Sequence, residues 1–113
     1  MKIYHNPRCS KSRDTLKILL SKTNEITVID YVKNPITFDE LKNIVKKLSI
    51  QPIELIRKNE SAWKENYRSQ KLNNNEIIQI MLDNPKLMER PIVINNKKAV
   101  IGRPPENVLS LFD

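Results

Sequence analysis

The apolar residues of this chain change their spacing twice, and those changes constrain the fold more than any other feature. Ile3 and Tyr4 form a short apolar run that stops at Asn6-Pro7. Proline cannot continue a sheet ladder, so the run predicts a first strand that ends in a loop. From Ser10 to Leu20 the apolar residues Leu16, Leu19 and Leu20 share one face while Lys11, Arg13, Asp14 and Lys17 lie elsewhere, which predicts an amphipathic helix. Ile26-Thr27-Val28-Ile29 is β-branched with polar flanks and reads as a buried strand. Strand, helix, strand is the parallel βαβ unit.

The middle of the chain keeps a helical period. Thr37-Phe38-Asp39-Glu40 has the spacing of a capping box, and Leu41, Ile44, Val45 and Leu48 follow at i, i+3, i+4, i+7. Pro52 suits the first turn of a short helix carrying Ile53, Leu55 and Ile56, and Ser61 to Lys71 reads as partly helical around Trp63 and Tyr67. Asn73 to Asp83 is helical again and Pro85 ends it. The last third returns to a short period: Pro91 to Ile94, a turn at Asn95-Asn96, then Lys97 to Ile101, a β-hairpin. Pro104-Pro105-Glu106 opens a final helix containing Val108, Leu109 and Phe112.

This order is that of an α/β, thioredoxin-like fold: a mixed four-stranded sheet with a helical insertion, at about residues 37–85, between strands 2 and 3. A plain α+β sandwich uses the same elements. Arg90-Pro91 at the entry to the third strand favours the former, because a cis-proline there brings backbone next to the first helix's N-terminus. At 113 residues the chain is expected to be a single domain, 1–113.

Composition narrows the chemistry. One cysteine, Cys9, forms no intramolecular disulfide, and one histidine, His5, leaves too few ligands for a tetrahedral nitrogen–sulfur metal site, so no metal is expected; no bound cofactor is expected either. The first residues lack the 7–15-residue apolar stretch of a signal peptide, and no window approaches a membrane span, so the expected compartment is the reducing cytoplasm. The net charge of +7 comes from lysines mostly scattered singly beside acids, without a run of five or more like charges, so no nucleic-acid partner is expected.

Cys9 is either core filler or a reagent. Its place just before a helix favours the reagent, because unpaired N–H groups and the positive dipole end stabilise a thiolate there. Arg8 and Arg13 add positive potential, and Ser12 is placed to donate its hydroxyl to the sulfur. Ser12 also stands where a Cys-x-x-Cys pair has its second thiol, so an adduct on Cys9 must be discharged by an outside thiol. The same helix end suits an oxyanion, provided arginines offset the repulsion. Arg57, Arg90 and Arg103 each read singly as surface residues, yet Arg90 and Arg103 bracket the hairpin and so share one end of the sheet. Gly102 is placed to let the chain turn before Arg103.

Tyr4-His5-Asn6-Pro7-Arg8-Cys9-Ser10-Lys11-Ser12-Arg13, Leu55-Ile56-Arg57-Lys58-Asn59, Arg90-Pro91-Ile92-Val93 and Gly102-Arg103-Pro104 resemble, in order, the motifs of the glutaredoxin-coupled arsenate reductases. The resemblance implies a thioredoxin-like fold and reduction of arsenate to arsenite, with glutathione as co-substrate and glutaredoxin as partner. It implies that Cys9 is the nucleophile, that Arg57, Arg90 and Arg103 bind the oxyanion, and that His5 and Ser12 support the thiolate. A protonated His5 would lower the Cys9 pKa; equally, a histidine at a strand end can serve only a backbone hydrogen bond. Ser10-Lys11 departs from the Gly-Thr that the pump-operon enzymes carry. Relatives on this scaffold leave two further readings: a glutathione-dependent thiol reductase of another substrate, and an RNA-polymerase-binding regulator, against which Ser12 argues because such regulators use Cys-x-x-Cys.

Overall fold

In the computed structural model, which describes residues 1–112, the chain forms two compact units, residues 1–35 with 90–112 and residues 36–89. The first is built on a four-stranded sheet. Strand β1 (Lys2–His5) leads into helix α1 (Ser10–Lys22) and returns as β2 (Thr27–Asp30); later come β3 (Ile92–Asn95) and β4 (Lys98–Ile101). The strand order is β2-β1-β3-β4. β1 pairs parallel with β2, placing His5 opposite Asp30, and antiparallel with β3, placing Ile3 opposite Val93. This is the thioredoxin-like mixed sheet that the element order implies.

The core of this unit follows from the two periods. Alternate strand residues Ile3 and Val93 meet Leu19 of α1 and Val108 and Leu111, with Met1, Leu16, Ile18, Ile26 and Val100 packed around them. Val108 and Leu111 lie three apart on the final helix, Pro105–Phe112, which is a 3-10 helix. Three residues per turn put both side chains on one face, against α1 and β4.

Two expectations need correction here. Ile26–Ile29 reads as a buried strand, but β2 is an edge strand, one residue later, and Val28 is 47% exposed. A β-branched run reports strand propensity, and burial depends on which strands flank it. The hairpin turn is also displaced: Asn95 pairs with Lys98, so the two-residue turn is Asn96-Lys97. Asn96 takes the left-handed conformation at φ 57°, which asparagine tolerates.

The second unit is helical. Helix α2 (Phe38–Leu48) begins with the expected capping box, Thr37 accepting from the Glu40 N–H and Glu40 reaching back. It ends with Ser49 left-handed, φ 57°, and the Ser49 N–H on the Lys46 and Val45 carbonyls. A 3-10 turn at Pro52–Leu55, α3 (Ser61–Asn66) and α4 (Asn74–Asp83) follow, α4 opened by a second capping box between Asn73 and Glu76. α4 packs on α2 and on the turns at Pro52–Leu55 and Pro85–Leu87, and Trp63 stacks tilted on Tyr67 at 5.9 Å. An antiparallel bridge between Ile56 and Met88, with Glu89 N–H donating to the Leu55 carbonyl at 2.8 Å, ties both ends of this unit together. No helix among the described residues is long and apolar enough to cross a membrane.

Candidate active site

The loop leaving β1 turns within three residues: the Cys9 N–H donates to the Asn6 carbonyl at 3.0 Å, and the Arg8 N–H donates to Asn6 Oδ1 at 3.0 Å. Cys9 thereby becomes the N-cap of α1, with extended φ −94° and ψ 121°. Helix N-termini carry N–H groups without intrahelical partners, and no oxygen cap or acidic first-turn residue serves this one. The N–H groups of Ser12 and Lys11 act on the sulfur instead. Burial pushes the Cys9 thiol up, but the Ser12 N–H, the Arg90 guanidinium through hydrogen bond and charge, and the Lys11 N–H outweigh it. The result is a pKa below that of an ordinary cysteine, the condition for a reactive thiolate.

Two arginines converge on this sulfur. Arg103 Nη2 donates to Cys9 Sγ at 3.8 Å, and Arg103 Nε donates to the Arg90 carbonyl at 2.9 Å. Arg90 Nε is buried and has no hydrogen-bond partner among the described residues. Each arginine precedes a cis-proline, Arg90-Pro91 and Arg103-Pro104. The two segments are joined by the Gly102 N–H donating to the Pro91 carbonyl at 2.8 Å. The glycine is needed for contact and not for turning, since its φ is not positive. A Cβ at Gly102 would lie 2.6 Å from Thr15 Oγ1 and 2.9 Å from Pro91 Cγ.

The structure revises the roles expected of His5 and Ser12. His5 Nδ1 lies 2.6 Å from Ser12 Oγ in a buried pair, and Ser12 Oγ also accepts from the Asn6 N–H at 3.1 Å. With its hydroxyl so engaged, Ser12 meets the sulfur through its backbone N–H and not its side chain. His5 is 7% exposed, and burial lowers its pKa; Asp30, opposite it in the sheet, raises it, and Arg13 lowers it again. The imidazole is therefore neutral near pH 7, so it supports the loop as a hydrogen-bonding partner of Ser12 and not as a cation beside the thiolate. Of the neighbouring arginines, Arg13 Nη1 donates to the Pro7 carbonyl at 3.0 Å and Arg8 is exposed; the guanidinium groups at the sulfur are those of Arg90 and Arg103.

Cys9, Arg90 and Arg103 thus come together in the sheet unit, with His5 and Ser12 behind the thiol loop. Arg57 belongs to the helical unit. Its N–H donates to the Leu87 carbonyl at 2.6 Å, and its guanidinium pairs with Glu60 at 3.1 Å and Glu89 at 4.0 Å. Sequence reasoning missed Thr15, which is fully buried and donates to the Lys11 carbonyl at 2.8 Å and the Gly102 carbonyl at 3.3 Å. The signal was present: Ser12, Thr15 and Leu19 form one buried stripe on α1, two of its three members polar. Among the described residues no cluster of His, Cys, Asp and Glu is arranged to hold a metal ion.

A family model described as the ArsC family matches residues 4–111. An uncharacterized Escherichia coli protein, YfgD, is 49% identical over 113 residues, covering 98% of this chain and 95% of its own. An arsenate reductase of Haemophilus influenzae is 40% identical, with 97% of each chain covered. The solved structure of an arsenate reductase from Vibrio cholerae superposes with a TM-score of 0.91 at 39% identity, covering 98% of each chain.

Proposed function

Because this chain belongs to the ArsC family, we propose that it reduces arsenate to arsenite, with Cys9 as nucleophile and with glutathione and glutaredoxin supplying the electrons. One observation carries the reading: two guanidinium groups meet a lone, pKa-lowered thiol at a helix N-terminus, and Arg90 Nε is left there as a buried donor without an acceptor. A tetrahedral oxyanion supplies that acceptor, and the unpaired N–H groups of the helix end supply more donors.

In the proposed reaction the Cys9 thiolate attacks arsenic, a sulfur–arsenic bond forms, and one arsenate oxygen leaves as water after protonation. Arg90 and Arg103 hold the remaining oxygens and stabilise the negative charge as the bond forms. Arsenic then takes up two electrons, and two glutathione thiols give them up to become one disulfide. Cys9 has no neighbouring thiol to resolve the adduct, so the first glutathione attacks the arsenic adduct from solution. A second arsenic oxygen leaves as water when that glutathione adds. The glutaredoxin thiolate then takes the glutathionyl sulfur as a mixed disulfide, leaving the sulfur–arsenic electron pair on arsenic, and the second glutathione discharges the disulfide, while water breaks the Cys9–arsenic bond to release arsenite and restore Cys9. The sequence resemblance assigns oxyanion binding to Arg57 as well.

The test is arsenite formation with arsenate, glutathione, glutaredoxin and its reducing system. Turnover that disappears in Cys9→Ser and falls at least tenfold in Arg57→Ala, Arg90→Ala and Arg103→Ala is the expected result. No turnover above the Cys9→Ser background refutes arsenate as substrate. Activity on glutathionylated peptides alone would transfer the thiolate to a thiol reductase.

A further inference from the structure

The thiolate alone does not set the geometry of the site, because the segment that carries Arg103 is also held on α1 by a contact outside the thiol loop. Thr15 is on the second turn of α1, fully buried, and both branches of its side chain face Gly102. Its hydroxyl donates to the Lys11 carbonyl, as mid-helix threonines commonly do. It also lies 3.3 Å from the Gly102 carbonyl, 87 residues along the chain. A hydroxyl has one proton, so these two carbonyls share it, and the hydroxyl spans α1 and the segment that carries Arg103. Gly102 then passes the constraint on: its N–H is fixed on the Pro91 carbonyl, and the next residue, Arg103, is fixed by Nε on the Arg90 carbonyl.

We propose that Thr15 is a positioning residue for the reaction: its buried hydroxyl, together with the side-chain-free face of Gly102, sets where the Arg103 guanidinium stands against the Cys9 sulfur. Thr15→Val keeps the branched shape of the side chain and removes the hydroxyl, so it separates the hydrogen bond from the packing around Gly102. The hydroxyl fixes the segment laterally as well as in contact, because a hydrogen bond has a direction and apolar packing has none. The effect on arsenate turnover rests on the reading above, whereas the effect on the thiol does not.

The test is the pH dependence of Cys9 alkylation by iodoacetamide in the full-length protein, with circular dichroism to monitor folding. Thr15→Val is expected to remain folded and to raise the alkylation midpoint, slowing the reaction at pH 7 by about threefold or more, the response to one weakened charge-assisted contact. Thr15→Ser, which keeps the hydroxyl, restores the midpoint. With Arg103→Met already in place, Thr15→Val has a smaller effect or none. An unchanged midpoint in folded Thr15→Val overturns the proposal, as does an equal rise with and without Arg103. Should Thr15→Val fail to fold, Thr15→Ala and Thr15→Ser decide: a higher midpoint in the alanine variant supports the proposal, and equal midpoints overturn it. A chain without arsenate turnover but with this alkylation pattern would refute the substrate and keep the positioning role.

Discussion

Substituting Gly102 by alanine tests how tightly the site is built. The added Cβ would lie 2.6 Å from Thr15 Oγ1, 2.9 Å from Pro91 Cγ and 3.0 Å from Thr15 Cγ2, where ordinary contact begins at 3.4 Å. Neither neighbour can swing aside: Thr15 presents both of its branches, Pro91 is a ring, and both are fully buried. The segment must lift from α1 instead, weakening the Thr15 bond to the Gly102 carbonyl. Overpacking of this kind costs about 1–3 kcal/mol. Because the Gly102 φ is not positive, alanine brings no backbone strain and regains about 0.4–1 kcal/mol from the stiffer unfolded chain. The net loss is about 1–2 kcal/mol, and the thermal midpoint falls by about 4 °C or more per kcal/mol. Thermal unfolding followed by circular dichroism measures it. Thr15→Ala removes two of the three close atoms, so the Gly102→Ala, Thr15→Ala double variant should be more stable than the sum of the single losses by about 1 kcal/mol. A Gly102→Ala protein as stable as the parent would show that the segment has room, and the argument for a tightly held Arg103 would fail with it.

Three further outcomes follow from the site and the sheet. Cys9 has a folded pKa below its unfolded value, so its contribution to stability is complete above the ordinary thiol range and is lost as pH falls through the folded pKa. Chemical denaturation should therefore show the stability of the parent over Cys9→Ala growing with pH up to about pH 8.5, and Arg90→Ala should narrow that window from its acid side. His5 is likewise lowered, so the folded protein resists a proton that the unfolded chain accepts, and stability should decline as pH falls below about 6.5. His5→Gln should flatten that decline in an acid titration followed by fluorescence of Trp63; an unchanged slope would mean the buried imidazole is not what titrates. On the edge strand, Val28→Thr should change stability by no more than about 0.5 kcal/mol, and a loss above 1 kcal/mol would contradict its exposure.

What the sequence reveals of this molecule depends on whether the signal is local. The capping boxes that open α2 and α4, Thr37 with Glu40 and Asn73 with Glu76, are satisfied within one helical turn, and both are visible in the sequence and present in the structure. The position of Cys9 at the head of α1 is equally local, because Pro7 ends one element and the helical period begins at once. Val28 fails the same reading because its burial is decided by the strand that does not flank β2. Ser12 shows a subtler limit: a hydroxyl three residues from a thiol is a fair partner by spacing, but His5 and Asn6 lie on its other side and take it. Arg90 and Arg103 could be assigned to one end of the sheet from the hairpin alone, whereas their seating depends on Thr15 and Gly102, which no spacing connects.

The sulfur and the guanidinium groups that meet it come from distant parts of the chain: 94 residues separate Cys9 from Arg103, and Arg90, whose charge lowers the Cys9 pKa, is almost as far. Contacts of this range form only after a long loop has closed, and they are absent from any state in which the two halves of the sheet unit have not docked. On a partly unfolded chain, or one still being made, Cys9 keeps at most the N–H groups of Ser12 and Lys11 beside it and lacks the Arg90 charge, so it is more protonated near pH 7 and slower to react with oxidants. The full thiolate character of Cys9 is therefore gained only with the docking event that completes the sheet and brings Arg90 to the sulfur.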